Sequence, residues 1–419
     1  MYQKTILSNG TRVVTERIPH VRSVSIGIWV KTGSRDEKKN ENGISHFIEH
    51  MLFKGTRKRT ALDIAKEIDA VGGVINASTG REYTNFYAKV LDKDFDVAVD
   101  LLSDIFLNSK FSPHEIERER EVIYQEIKMV EDTPDEYIQD IFNQYFFPEN
   151  SLGFPILGHY QTISQLTKPR IAGFFKTAFL RPLRIIVSVA GKLEHERIVE
   201  KIKETIGRVQ SAMDDRVLAT PDPHPNIHVL HKKLEQVHLC LGTKGISQTH
   251  PFRYAAYVLN VILGGSMSSR LFQEVREKHG LAYSVFSYLS SYSDTGILGI
   301  YAGTTSDNVK KVLDIIMNEL RHLREKSIQE ADLEKAKEQI RGNILLSSES
   351  TDNRMGRLAR GELYFGKFIP LKEILNGIEM VTTADVQQLA QDLFQQEYFS
   401  LAALGKVRER DVARGLLAL

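Results

Sequence analysis

Residues 43–55, Gly-Ile-Ser-His-Phe-Ile-Glu-His-Met-Leu-Phe-Lys-Gly, decide how this chain is interpreted. Apolar residues recur at helical spacing between the two glycines, which predicts a short amphipathic helix. Residues four positions apart lie on one helical face, so His46 and His50 point the same way, and Glu49 reaches the same pocket. Two imidazoles and a carboxylate on one turn favour a metal ion that activates a water. The alternative is a buried helix whose histidines only make hydrogen bonds.

A hydrolytic zinc site needs a third protein ligand, and a charged segment further along the chain offers candidates. Residues 112–127 begin with Ser-Pro-His-Glu, a pattern typical of a capped helix with proline at its first position. Glu119 and Glu126 are seven residues apart and therefore share one face of this helix. Taken alone, either glutamate is better explained as a solvated side chain on a charge-rich helix.

The motif and its surroundings resemble a known family. His46-x-x-Glu49-His50 followed by Glu126 resembles the inverzincin peptidases. Within them the chain is similar to the pitrilysin (M16) family, and there to the M16B group of bacterial proteins that resemble the mitochondrial processing peptidase. Segments 72–84, 264–272 and 276–284 resemble further parts of that family. The resemblance therefore runs over nearly the whole chain.

The resemblance implies a role for each residue of the motif set. One zinc ion per chain is expected on His46, His50 and Glu126, although cobalt or manganese could use the same ligands. Glu49 is implied as the general base that takes a proton from the attacking water and passes it to the leaving amine. Glu119 matches the family's additional active-site glutamate. Its place on the helix also makes it a candidate to orient a ligand histidine.

Residues 74–78 and 83–91 predict two strands that follow a Gly-Gly turn. The resemblance implies that Asn76 and Ala77 on the first strand bind an extended peptide through backbone hydrogen bonds. It also implies that Arg276 and Tyr283, from the second half of the chain, hydrogen-bond the peptide's carbonyl groups. An ordinary edge strand, a surface arginine and a core tyrosine are the alternatives.

Composition narrows the class of protein. The chain has 419 residues, 42% of them hydrophobic and 26% charged, with a net charge of +1, so we expect neither nucleic acid nor an anionic membrane as a partner. Cys240 is the only cysteine, which fits a reducing compartment, and no apolar run is long enough to span a membrane. A hairpin predicted directly after Met1 leaves no room for a presequence. We therefore expect a bacterial cytoplasmic protein, with a processed mature form as the alternative.

The chain divides into two similar halves. Residues 214–226 contain three prolines among acidic and small residues and predict an interdomain linker. Both halves have the same order of strands and helices. When the halves are aligned on this order, residues 257–261 correspond to residues 46–50. We predict a catalytic zinc-binding domain over 1–213 and a non-catalytic substrate-binding domain over 227–419. The implied fold is α+β, with two homologous, mainly antiparallel sheets packed with helices (the LuxS/MPP-like metallohydrolase fold) that face each other across a chamber. A homodimer is expected.

Three functions compete at this point. The first is a zinc-dependent metalloendopeptidase of the EC 3.4.24 type, acting on extended, unfolded peptides or presequence-like segments. The second is a non-catalytic or partner-dependent structural subunit of a processing-peptidase-like complex. The third is a chance motif in a protein without metal. Because His46, Glu49, His50 and Glu126 are all present, we favour the peptidase.

Overall fold

The computed structural model describes residues 1–210, 214 and 216–418. Its strands are β1 (Tyr2–Ile6), β2 (Arg12–Arg17), β3 (Ser23–Val30), β4 (Val74–Thr79), β5 (Thr84–Leu91), β6 (Ile185–Gly191), β7 (Ile227–His231), β8 (Val237–Lys244), β9 (Ala282–Ser291), β10 (Gly296–Thr304) and β11 (Ser400–Gly405). Its α-helices are α1 (Ile44–Leu52), α2 (Ala61–Ala70), α3 (Phe95–Asn108), α4 (Pro113–Glu131), α5 (Pro134–Phe146), α6 (Tyr160–Ser164), α7 (Lys168–Phe174), α8 (His195–Glu204), α9 (Arg253–Leu263), α10 (Val309–Glu325), α11 (Glu330–Ser347), α12 (Thr351–Arg360), α13 (Leu371–Glu379) and α14 (Thr383–Leu393). Among the described residues, no helix is both long and apolar enough to cross a bilayer.

The first of two compact units contains a six-stranded sheet in the order β1-β2-β6-β3-β5-β4. Strands β2 and β6 run parallel, and the other neighbouring pairs are antiparallel. The hairpin predicted at the N-terminus is confirmed, and its turn depends on Asn9 and Gly10. The amide of Thr11 donates to Asn9 Oδ1 at 3.0 Å, and Gly10 has a φ of +97°, which favours glycine. Strand β4 forms one edge of this sheet.

The second unit contains a five-stranded sheet in the order β7-β11-β8-β10-β9. Strands β7 and β11 run parallel, and the other pairs are antiparallel. Here the edge is formed by β9. The predicted α+β fold of two mainly antiparallel sheets packed with helices is therefore confirmed.

Each sheet is covered on both faces, because alternate side chains of its strands enter two different apolar clusters. In β3, Val24, Ile26 and Ile28 enter the larger cluster of the first unit, while Trp29 enters the smaller one. In β8, Leu239 and Leu241 enter the larger cluster of the second unit, while Cys240 enters the smaller one. Each unit is thus a three-layered structure, with several helices on one face of the sheet and one main helix on the other.

Each unit includes one segment that comes from the half of the sequence that forms the other unit. The first unit comprises Met1–Lys128, Phe154–Ala219 and Ser347–Ile369, and the second comprises Met129–Gly153, Thr220–Leu346 and Pro370–Leu419. These units differ from the contiguous ranges 1–213 and 227–419, because α5 packs on the sheet of the second unit and α12 on that of the first. The predicted boundary at residue 213 and linker residue 215 lie outside the described residues.

The exchanged helices approach their sheets at a glycine. Side chains of α12, Met355 and Leu358 among them, pack with Trp29 and Ile186. A Cβ added at Gly27 of β3 would lie 3.0 Å from Met355 Sδ. In the second unit, Phe142 of α5 packs over Gly242 of β8, where an added Cβ would lie 2.5 Å from the ring. A larger residue at Gly242 would push the phenylalanine ring away from the sheet.

Candidate metal centre

Helix α1 is held in the first unit by its apolar face. Ile44, Phe47, Ile48, Met51 and Leu52 are fully or almost fully buried in the larger core cluster. Gly43 precedes the helix with a φ of +93°, and the helix ends at Leu52, three residues before Gly55. His46, Glu49 and His50 lie outside this cluster. The buried face therefore fixes the helix and leaves the three polar side chains available for a site.

Two histidines of α1 meet Glu126 of α4. The metal-ligating atoms of His46, His50 and Glu126 all lie within 4.8 Å of one another, and no other such group of three occurs among the described residues. Glu126 Oε2 is 3.6 Å from His46 Nε2 and 3.5 Å from His50 Nε2. This buried oxygen has no hydrogen-bond partner in the described structure, as expected of an atom that faces a cation. Two imidazole nitrogens and one carboxylate oxygen are a ligand set that fits zinc.

Glu119 orients one of these histidines. His50 Nδ1 donates to Glu119 Oε2 at 3.1 Å, and Lys54 Nζ lies 2.8 Å from Glu119 Oε1. With the proton on Nδ1, the lone pair of Nε2 points toward Glu126, which is the tautomer that a metal ligand requires. Burial acts to raise the pKa of Glu119, but the hydrogen bonds from His50 and Lys54 outweigh it and keep that pKa below its ordinary value.

Helix α4 is fixed against α1 by Arg120. Its guanidinium lies 5.8 Å from the centre of the Phe47 ring and donates to the carbonyl oxygen of Leu166 at 2.8 Å. It also donates to the carbonyl oxygen of Ile163 and pairs with Glu117. These contacts hold the helix in register, so that Glu119 and Glu126 both face α1.

Burial shifts the pKa values of two residues of the motif, His46 and Glu49. It is the main cause that lowers the pKa of His46 to about 3, with a smaller contribution from His50, so His46 is a neutral imidazole at neutral pH. A metal ligand must be in this form. Burial also raises the pKa of Glu49, against the opposing effects of a hydrogen bond from Thr79 and the charge of His50. A carboxylate with a raised pKa is a better proton acceptor near neutral pH.

The edge strand β4 lies beside the motif. Thr79, its last residue, donates a hydrogen bond from Oγ1 to Glu49 Oε2. Along β4 the side chains alternate between exposed and half-buried, with Asn76 exposed and Ala77 packed against the core. The strand pairs with β5 on one side, and its other side is the end of the described sheet. An extended peptide has backbone donors and acceptors that match such an edge.

Comparison with known proteins identifies the family. Residues 12–159 match the family described as insulinase (peptidase family M16), and residues 165–340 match the M16 inactive domain. The chain belongs to peptidase family M16. The motif helix and Glu126 lie in the first matched region, and the second covers most of the sheet of the second unit. The three grouped metal-ligating residues lie in the first unit, which agrees with a second matched region that is described as inactive.

Relatives in the M16 family extend over the full chain. A Bacillus subtilis protein described as an uncharacterized zinc protease is 42% identical, covering 95% of this chain and 97% of the relative. A Streptomyces coelicolor protein with the same description is 39% identical over 98% of this chain and 91% of its own. A protease from Helicobacter pylori has the same fold, with a TM-score of 0.89, 23% identity and coverage of 97% and 99% of the two chains.

The remaining residues predicted for this M16 chain lie in the second unit. The Arg276 guanidinium is 4.7 Å from the centre of the Phe272 ring and 4.8 Å from that of Tyr283. Tyr283 is 77% exposed, so it is not a core tyrosine. The arginine thus lies against two aromatic rings, and its Nε is 3.6 Å from Glu277 Oε1.

Two partners of the M16 motif were missed by the sequence analysis. Lys54 is four residues after His50, and this spacing is a signal that could have placed its charge beside Glu119. Thr79 gave no such signal, because its contact with Glu49 depends on how closely β4 approaches α1.

Proposed function

We propose that this protein is a zinc-dependent endopeptidase that cleaves extended, unfolded peptides. The observation that carries the proposal is the convergence of His46 and His50 of α1 with Glu126 of α4 within 4.8 Å, beside Glu49 on α1. The family and the zinc protease descriptions of its relatives support the same chemistry. The described residues around Glu126 fit a divalent cation, and the donor set favours zinc.

Each residue then has a defined part in hydrolysis. His46, His50 and Glu126 would hold the zinc ion, which supplies Lewis acidity for the scissile carbonyl and for the attacking water. Glu49 takes the proton of that water and returns it to the leaving amine, while Thr79 holds its carboxylate in place. Glu119 acts through His50 rather than on the substrate.

Substrate binding is proposed for both units. A peptide would add to the free edge of β4 beside Asn76 and Ala77, which gives affinity with little sequence selectivity. Arg276 and Tyr283 would hydrogen-bond carbonyl groups of the same peptide. Because a folded protein presents few free strand-like segments, this mode of binding favours unfolded chains. Presequence-like segments meet the same requirement.

The deciding experiment is hydrolysis of an unstructured, fluorescence-quenched peptide by the purified protein alone. We expect cleavage that stops with a zinc chelator and returns when zinc is added back. Bound zinc without cleavage would contradict an autonomous peptidase and support the partner-dependent structural subunit. Light scattering on the same sample tests the proposed homodimer, since a monomer that cleaves peptide would reject it.

The ligand set has its own test. Glu126→Gln removes one anionic ligand and is expected to weaken zinc binding strongly, as measured by competition with a chelator of known affinity. Glu119→Gln is expected to weaken it by about 10- to 100-fold, because the orientation of His50 is lost while the three ligands remain. If Glu126→Gln bound zinc as tightly as the parent, the third ligand would lie elsewhere, with Glu119 next in line.

A further inference from the structure

A buried carboxylate caps the metal-binding helix from outside it. Glu37 Oε2 accepts hydrogen bonds from the Gly43 amide at 2.7 Å and from Asn42 Nδ2 at 3.0 Å. Glu37 Oε1 accepts from the Ser45 amide at 2.8 Å. Glu37 is only 5% exposed, and none of the functions described above uses it.

These contacts satisfy donors that α1 cannot satisfy itself. The first amides of a helix have no intrahelical partner, and Gly43 has no side chain with which to cap them. A carboxylate at this end also interacts favourably with the helix dipole. Burial raises the pKa of Glu37 to about 7, and the hydrogen bonds from Gly43, Ser45 and Asn42 oppose the rise. The carboxylate is thus held by donors of the helix N-terminus.

The turn that carries Glu37 is also fixed to the end of β4. The amides of Ser34 and Arg35 donate to the carbonyl oxygens of Gly80 and Arg81 at 3.2 and 2.8 Å. A Cβ added at Gly33 would lie 2.3 Å from the Gly80 oxygen, so only glycine allows this approach. Gly80 directly follows Thr79, the residue that donates to Glu49. One rigid turn therefore contacts both elements on which the motif depends.

Asp36, the residue before Glu37, links this turn to the rest of the first unit. Asp36 accepts from the Gly33 amide at 3.0 Å and from Arg216 Nε at 2.6 Å. Arg184 Nη1 lies 3.6 Å from the same carboxylate. Because Asp36 is nearly buried, these pairs hold the turn by charge-assisted hydrogen bonds.

We propose that Glu37 is a positioning residue for the metal centre. By fixing the first turn of α1 against the end of β4, it sets the direction of the His46 imidazole and the place of Glu49 beside Thr79. This inference rests on the proposed zinc site. Ser45, which Glu37 holds, directly precedes His46, so a shift of the first turn moves the ligand with it.

A pair of isosteric variants separates positioning from general stability. Glu37→Gln keeps the size of the side chain but turns one acceptor into a donor that must face an amide N–H. The control is Glu362→Gln, which removes another buried carboxylate of the first unit. Glu362 is 1% exposed and pairs with Lys4 at 2.7 Å, outside the metal centre.

The measurements are zinc affinity by chelator competition, the visible spectrum of the cobalt-substituted protein, and kcat and KM for the quenched peptide. We expect Glu37→Gln to weaken zinc binding by about 10- to 100-fold, to change the cobalt spectrum and to lower kcat more than KM. Glu362→Gln should leave zinc affinity and the cobalt spectrum unchanged.

Two outcomes would overturn the inference. One is a folded Glu37→Gln protein with the parent's zinc affinity and cobalt spectrum. The other is an equal loss of affinity in Glu362→Gln, which would make the effect one of general stability. If Glu37→Gln does not fold, Asn42→Ala decides, because it removes one donor to Glu37 and should weaken zinc binding in the same direction. A parent protein that binds no zinc would instead reject the proposed function.

Discussion

Helices α1 and α9 occupy corresponding places in the two units but carry different chemistry. Each follows a buried strand, β3 or β8, and lies beside an edge strand, β4 or β9. The alignment of the two halves predicted from the sequence places Tyr257, Asn260 and Val261 of α9 against His46, Glu49 and His50. Glu49 accepts a hydrogen bond from Thr79 on the edge strand β4. In the same way, Asn260 Oδ1 accepts a hydrogen bond at 2.8 Å from Ser287 Oγ on the edge strand β9.

This correspondence places the same kind of helix-to-strand contact in a unit with a group of metal-ligating residues and in a unit where none is found among the described residues. The contact from helix to edge strand occurs in both units, whereas a three-ligand cluster occurs in the first unit alone among the described residues. A carboxylate and an amide can both accept from a hydroxyl, but an amide is not a general base. At this contact, the difference between the units therefore lies in a few side chains.

The largest expected effect concerns the two equivalent positions. Glu49→Gln should retain zinc and lose about 10²- to 10⁴-fold in kcat, because the ligands remain and the base is gone. Asn260→Ala removes the equivalent side chain of α9 and should leave zinc content and the chemical step intact. Stopped assays with the quenched peptide and metal analysis measure both. A Glu49→Gln protein with parental kcat would contradict the assigned role.

The exchanged helices provide the next comparison. Leu358→Ala in α12 and Phe142→Ala in α5 each empty a buried site and should cost about 2–5 kcal/mol of unfolding free energy. Hydrogen exchange should increase in β2, β3 and β6 for Leu358→Ala, and in β8 and β11 for Phe142→Ala. Mass spectrometry of peptides from the deuterium-labelled protein measures this increase. If hydrogen exchange increased only in the half of the sequence that carries the substitution, the assignment of α5 and α12 to the opposite sheets would be contradicted.

Both units also contain a buried histidine with a lowered pKa, and these two residues allow a pH test. Burial lowers the pKa of His195, held by the hydroxyls of Thr5 and Thr15, and that of His238, which contacts Tyr301. Near and below pH 6.5 the unfolded chain binds more protons at these histidines than the folded chain does, so stability falls as the pH falls through this window. His195→Gln and His238→Gln should each flatten the urea-unfolding free energy between pH 7 and 5 (about the range set by ordinary histidine). Unchanged slopes would place the acid sensitivity elsewhere.

The smallest expected effect is a null result in α9. The double substitution Tyr257→His and Val261→His restores two histidines at helical spacing, yet zinc should stay at one ion per chain. The reason is that two imidazoles alone are fewer than the three protein ligands that a hydrolytic zinc site uses. Elemental analysis of the folded variant measures the stoichiometry. Two zinc ions per chain would show that the second unit had kept the rest of a site.

The parts of the site that depend on local spacing could be predicted from the sequence. The pair His46 and His50, and the pair Glu119 and Glu126, follow from helical periodicity, and the strands β4 and β5 from their turn residues. The contacts of Glu37 and Thr79 could not be predicted, because they depend on loops that bring distant backbone together. The exchange of α5 and α12 was missed for a related reason. An apolar helical face shows that a helix is buried but not which sheet buries it.

The helix exchange also determines the order in which a growing chain can complete its folds. The cover of the second sheet, residues 129–153, is synthesised before any strand of that sheet, so the helix is ready when its strands emerge. The first sheet is in the opposite position. Its six strands are complete by Gly191, but residues 347–369 follow more than a hundred residues later. During synthesis Trp29 and Ile186 therefore remain exposed until α12 has been made. If the gene were divided at the linker, the first fragment would contain α5, which packs on the second sheet, and the second fragment would contain α12, which packs on the first.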